Sequence, residues 1–147
     1  MIVATKAYGS IEVNEDQKMT FPNGLFGFES FKDYVLLDSD KEHFYWLQSL
    51  DSEQLAFVVI NPFLFRPDYE MNLDNEDIAV IGITDPGKAL IFSIVTFPSD
   101  GGSLTANLQG PLVINRDNRL GIQAVLTDSR WRTKHDIIAE LNAGKEQ

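Results

Sequence analysis

The chain contains no cysteine, which excludes disulfide staples, thiolate zinc sites and a cysteine nucleophile, and fits a reducing compartment. Basic residues are scarce: 12 Lys plus Arg stand against 22 Asp plus Glu, a formal charge of -10 in 147 residues. Nucleic-acid binders draw most of their affinity from cations that displace counterions from phosphate, so direct nucleic-acid binding is not expected. Long apolar runs are missing too. The longest, such as 55–60 and 78–83, fall far short of the ~20 residues of a membrane helix. The opening Met1-Ile2-Val3-Ala4-Thr5-Lys6 reaches polar residues too early for the apolar centre of a signal peptide. The expectation is a cytoplasmic protein without membrane contact.

What is present suffices for a core. Hydrophobic residues make up 44% of the chain, and a domain of this size buries roughly 68–70% of its unfolded surface. No repeat, low-complexity tract or linker divides it, so one domain over 1–147 is expected, with a short C-terminal tail from about residue 128. The apolar segments are short, rich in β-branched and aromatic residues, and bounded by turn residues, the pattern of an all-β domain. Strands are expected over 2–6, 11–14, 19–21, 34–38, 44–49, 56–61, 78–84, 89–96, 106–108, 112–115 and 121–125. Asp85-Pro86-Gly87-Lys88 predicts a tight turn pairing 78–84 with 89–96. The polar tip Asn115-Arg116-Asp117-Asn118-Arg119 predicts a second hairpin. Both strands of the first are apolar at nearly every position, which points to central strands of a barrel or sandwich covered on both faces. A helical turn is expected at 29–33 and a short amphipathic helix over 136–142, ending before Gly144. The fold class is therefore a small antiparallel β-barrel-like domain with one or two short helical turns.

Catalytic signatures are lacking. His43 and His135 lie far apart among charged or polar neighbours and read as surface residues; no His-Glu-x-x-His, phosphate loop or calcium-loop spacing occurs, although Asp74-Asn75-Glu76-Asp77 resembles the last superficially. No enzyme, cofactor, metal or small-molecule substrate is expected. Charge distribution is more informative. Residues 1–115 hold 17 acids and 6 bases, whereas 116–147 hold 5 acids and 6 bases, so a body of -11 precedes a tail of +1. The densest stretch, 68–77, has five acids and no base. There Tyr69, Met71 and Leu73 alternate with Asp68, Glu70, Asn72 and Asp74, so an extended chain has an apolar row on one side and an acidic row on the other. It is either an edge offered to a partner or a solvated connection packed on the core. Upstream, Pro62 and Pro67 bracket Phe63, Leu64 and Phe65, which plug one end of the core or form an exposed patch. Downstream, Gly110-Pro111 interrupts pairing near Asn107 and Gln109, as a bulge or a recognition loop. The cluster Arg130-Trp131-Arg132-Thr133-Lys134 reads as a solvated basic segment.

Three stretches carry a resemblance. Phe21-Pro22-Asn23-Gly24-Leu25-Phe26-Gly27-Phe28-Glu29, Asn61-Pro62-Phe63-Leu64-Phe65-Arg66-Pro67-Asp68-Tyr69-Glu70, and Thr105-Ala106-Asn107-Leu108-Gln109-Gly110-Pro111-Leu112-Val113-Ile114-Asn115 followed by Gly121-Ile122-Gln123 make the sequence similar to the FliW family of bacterial flagellar assembly factors, in family order over essentially the whole chain. The resemblance implies a small β-barrel-like fold, no enzymatic activity and two protein partners. It implies binding of flagellin in the cytoplasm and, once flagellin is exported, binding of CsrA, a small basic RNA-binding regulator that represses flagellin translation. Antagonism by contact away from the RNA site, allosterically, is part of that implication; acidity alone fits allostery and RNA mimicry equally. Complementary charge suits a basic partner, so Glu70, Asp74, Glu76 and Asp77 are the candidate contacts to CsrA, with Tyr69 as aromatic anchor and Asn107 and Leu108 as neighbours. Flagellin, whose terminal segments are helical and apolar by the same resemblance, needs an apolar groove, for which Phe63, Phe65 and Val113 are the candidates. An export chaperone without regulator binding and a small-ligand or carbohydrate-binding barrel remain as alternatives.

Overall fold

The structure, a computed structural model, describes residues 1–145. A hairpin of β1 (Ile2–Thr5) and β2 (Gly9–Glu12) forms a sheet of its own. It lies over the outer face of a larger antiparallel sheet containing β3 (Lys18–Thr20), β4 (Asp33–Asp38), β5 (Phe44–Ser49) and β6 (Ala56–Ile60). The reason is visible in β4. Tyr34 and Leu36 face the main core with Met19, Phe21, Leu47, Val59 and Phe92, while Val35 and Leu37 face Val3 and Val13 of the hairpin. Successive side chains leave opposite faces of a strand, so this unbroken apolar run needs cover on both.

The sheet continues through β7 (Ala89–Thr96), β8 (Thr105–Ala106), β9 (Leu112–Asn115), β10 (Gly121–Gln123) and β11 (His135–Asp136), in the order β10-β9-β7-β6-β5-β4-β3, with β8 pairing the end of β7 and β11 pairing β8. It curls until its edges touch: Thr20 N–H donates to the Arg119 carbonyl at 3.0 Å, and Thr20 bridges Leu120. Closure stops at that contact, so the architecture is barrel-like. Phe21, fully buried, fills the seam, and Gly121 makes room for it, since a Cβ there would lie 2.6 Å from the Phe21 ring.

The larger departure from the sequence reading is at 78–84. No strand forms there; instead α1 (Asn75–Ile81) takes 78–81, residues 82–84 are its cap and an irregular connection, and the expected hairpin with 89–96 is absent. β7 pairs with β6 and β9. End signals outweigh the β-branched run: Asp74 accepts the Asp77 N–H, acids occupy the first turn, and Gly82 ends the helix at φ 63°. The Asn115 and Asn118 side chains both donate to the Ile81 carbonyl at 2.9 Å, and Ile81 packs on Val113, Ile122 and Ala124. The turn at Asp85-Pro86-Gly87-Lys88 does form and feeds β7. The hairpin of β9 and β10 forms as expected. At 29–33 there is a turn but no helix, and the C-terminal helix, α2 (Ile137–Lys145), runs through Gly144 instead of stopping before it.

In the first motif, Gly24 is required twice over: its φ is +68°, and a Cβ would sit 2.5 Å from the Glu29 Cα. Backbone cannot step aside as a side chain does, so Gly24→Ala is expected to destabilise by about 2–3 kcal/mol, read as a lower urea midpoint at unchanged m-value.

Candidate partner-binding surface

The surface is built on the chain from Asn61 to Ile83. Asn61 caps a 3₁₀ turn, Pro62–Leu64, leaving Phe63 40% exposed while Phe65 turns inward at 2%. Beyond it Tyr69 is buried edge-on against Trp131, ring centroids 4.8 Å apart, and its hydroxyl donates to the Leu108 carbonyl at 2.6 Å. From Glu70 to Asp74 exposure alternates, with Met71 and Leu73 half-buried and Glu70, Asn72 and Asp74 exposed. The expected two-sided row is real, although it is an irregular connection without strand pairing.

Its apolar side opens onto a groove of about 520 Å³ lined by Phe63, Met71, Leu73, Ile78, Ile83 and Val113, among others. Phe63 and Val113 of the three apolar candidates therefore meet in one concavity, Val113 as floor and Phe63 as rim. Phe65 is outside it, packed with Tyr69, Leu108 and Trp131.

The acidic side continues along the first turn of α1. Glu70 lies 3.4 Å from Arg130, both exposed, a pair that contributes little in water. Among the described residues no base pairs with Asp74, Glu76 or Asp77. Partial burial, then the charges of Asp74 and Glu76, hold the Asp77 carboxyl above the usual aspartate range. Negative charge is thus crowded there with only the N-terminus of α1, and no basic side chain among the described residues, set against it, which favours an incoming cation.

Tyr69, Asn107 and Leu108 belong to the layer beneath. Leu108 is fully buried. The Asn107 side chain accepts the N–H groups of Gln109 and Gly110 at 3.1 and 2.9 Å, shaping the turn at Gly110-Pro111. Gln123 then joins two motifs, donating to the Gly110 carbonyl at 3.0 Å and accepting the Phe26 N–H at 2.9 Å. Tyr69 ties in the remaining one through Leu108. The three sequence motifs are one bonded unit.

Two sequence readings are corrected at the tail. His135 is not a surface residue but 1% exposed. Its Nε2 accepts the Arg132 N–H at 2.9 Å, so Nδ1 carries the proton toward Glu140 Oε1, also at 2.9 Å. His43 is exposed, as expected. The segment 130–134 is not simply solvated either: Trp131 is buried between the Arg66 and Arg130 guanidinium groups, at 4.8 and 4.9 Å from the ring. Arg66 also bonds Asp68 and Glu140, fastening α2 to the middle motif. A Trp flanked by arginines was the available signal; Gln123 stands in the third motif, but its two hydrogen-bond partners were not legible there.

Several carboxyls are held below their usual range: Asp68 by its bond to Arg66, Asp128 by Arg130, Asp136 by the Ala139 N–H and Glu29 by the Gly27 N–H. A depressed folded-state value means stability that is present above the unfolded value and lost as pH falls through the folded one. Unfolding free energy is therefore expected to decline below about pH 4, with Asp77 working weakly in the opposite sense. Chemical denaturation across that range checks it, and Asp68→Asn should flatten the acid limb.

A mostly β scaffold presents an apolar groove beside a row of acids, of which Asp74, Glu76 and Asp77 have no basic partner among the described residues, which is a candidate interaction surface on a small β domain. Residues 2–137 match the family model described as FliW protein. The chain is 53% identical over 143 residues to the flagellar assembly factor FliW of Treponema denticola, covering 97% of each. It is 44% identical over 147 residues to that of Treponema pallidum, covering 100% of this chain and 98% of the relative. A crystal structure of the flagellar assembly factor FliW superposes with a TM-score of 0.86 at 38% identity, covering 93% of this chain and 96% of that one. The chain belongs to the FliW family of flagellar assembly factors.

Proposed function

We propose that this protein binds flagellin in the cytoplasm and, when flagellin leaves, binds CsrA and relieves its repression of flagellin translation, acting without catalysis as one domain over 1–147. The observation that carries this reading is the adjacency of two surfaces of different chemistry. The groove at Phe63, Met71, Leu73 and Val113 offers apolar cover to a helical segment of flagellin. Asp74, Glu76 and Asp77 offer a basic regulator carboxylates without a basic partner among the described residues, exposed Glu70 adds one that meets only Arg130, and Tyr69, bonded to the Leu108 carbonyl, anchors the start of the row with Asn107 as a neighbour. The acidic row lies within the stretch Phe63–Ile83, which also supplies one wall of the groove beside Val113, so one occupant crowds the other. Contact with CsrA away from its RNA site remains the mode implied by family membership.

A ligand-binding barrel is less well supported. One groove is lined by three carboxylates, Glu29, Asp74 and Asp77, yet Asp74 accepts the Asp77 N–H and Glu29 the Gly27 N–H. Asp74 and Glu29 thus shape backbone, which leaves Asp77 without a second free carboxylate for an acid–base pair.

Charge reversal tests the regulator surface. Glu70→Lys with Glu76→Lys, both at exposed positions, is expected to weaken CsrA about tenfold or more and to reduce the salt dependence of binding, while flagellin affinity holds. Unchanged CsrA affinity in titration calorimetry would remove these residues from the interface.

A further inference from the structure

The outer face of β5, β6 and β7 is not fully covered. On one side the β1–β2 hairpin packs against Val35, Leu37 and Trp46. On the other, the layer of β8, β11 and α2 packs against Ile60 and Val95. Between these covers runs a groove of about 350 Å³ whose floor is Phe44, Trp46, Val58 and Phe97, the last 48% exposed. Its rim carries Lys6, Lys41 and Asp40.

That rim inverts the charge of the molecule. The acid-lined groove beside α1 holds three carboxylates and no base, and the chain as a whole carries -10, yet here two lysines face one aspartate. Neither lysine has an ion-pair partner among the described residues. Both are held by their backbone. The Lys6 N–H donates to Gln48 Oε1 at 2.9 Å, and Gln48 is itself 1% exposed. The Lys41 N–H donates to Ser39 Oγ at 3.1 Å, and the Tyr8 hydroxyl pins the hairpin tip to the Asp38 carbonyl at 3.0 Å. The backbone that carries the cationic rim is therefore fixed beside the apolar floor, and only the two lysine side chains need ordering when the groove is occupied.

We propose that this groove is a third docking surface, taking a segment of a partner protein in which a large apolar side chain is flanked by carboxylates. The apolar side chain seats on Trp46 and Phe97, and the carboxylates meet Lys6 and Lys41. The charge complementarity selects an acidic segment and rejects the basic partner assigned to the opposite chemistry at Glu70 to Asp77. This proposal is independent of the flagellin and CsrA assignments.

Tryptophan fluorescence gives the test, because Trp131 is buried and Trp46 lines the groove. The probes are a short peptide alternating Glu with Phe and the same peptide with Lys for Glu, titrated into the full chain and into a Lys6→Glu, Lys41→Glu variant. The expected result is a saturable Trp46 response to the acidic peptide, about tenfold weaker in the variant and absent for the basic peptide. Equal response to both peptides, or no loss in the variant, overturns the proposal. Sedimentation of the free protein supplies the other outcome: self-association abolished by the same variant would make a second copy the occupant and overturn it equally. A Phe97→Ala variant guards against altered folding of the double mutant, since it must weaken the acidic peptide while leaving thermal unfolding near that of the parent.

Discussion

Trp131→Ala is expected to lower the unfolding free energy by about 4 kcal/mol, within the range for deleting a buried large aromatic. The ring is 1% exposed and stands edge-on to Tyr69. Its loss opens a cavity among Phe65, Tyr69, Leu108 and Ile137. It also removes the surface on which Arg66 and Arg130 lie. Those arginines hold Glu140 of α2, Asp68 and Glu70, so the damage reaches the start of the acidic row. Trp131→Phe should recover most of the stability, because its indole Nε1 has no hydrogen-bond partner to lose. Urea titration of the three proteins measures the difference, and a cost under about 1 kcal/mol for the alanine variant would mean that the tail does not belong to the core.

Phe63→Glu is expected to weaken flagellin binding by about 30-fold or more, the equivalent of losing one interface hot spot. Phe63 is the exposed rim of the groove, touching Tyr69 at a centroid distance of 5.7 Å, and is free to change without opening the core. A carboxylate there faces the apolar floor of Met71, Leu73 and Val113 and must stay hydrated, which keeps an apolar helix out. CsrA affinity should move little, because the added charge has the sign that attracts it. Calorimetry with each partner separates the two effects. Loss of both together would point to misfolding, and loss of neither would move flagellin elsewhere.

How much of this could be read from residues alone varied with the kind of signal. Segments such as Phe44–Ser49, Ala89–Thr96 and Leu112–Asn115 form strands with the expected bounds because short apolar runs between turn residues leave few choices. The run at 78–84 misled because its β-branched residues suit a buried strand equally well; Asp74 and Gly82 marked the helix ends, and the cap outweighed the propensity. The alternation at 68–74 was legible, but whether its apolar row faces a partner or the core was not, since the same period serves both. The joining of the motifs was not. Gln123 meeting Gly110 and Phe26, and Tyr69 meeting Leu108, are contacts across 13 to 97 residues of chain, set by sheet topology that no local pattern encodes. Burial of His135 and Trp131 failed for a related reason: their polar neighbours in sequence say nothing of the cluster that β8 and Leu126 bring over them.

The central claim is that flagellin and CsrA occupy adjoining parts of one surface and exclude each other. Size-exclusion chromatography of the protein with each partner alone and with both at saturating concentration tests it most directly. Two binary complexes are expected and, in the mixture, only those two, with the Phe63→Glu variant shifted strongly toward CsrA. A stable ternary complex containing all three proteins would contradict it.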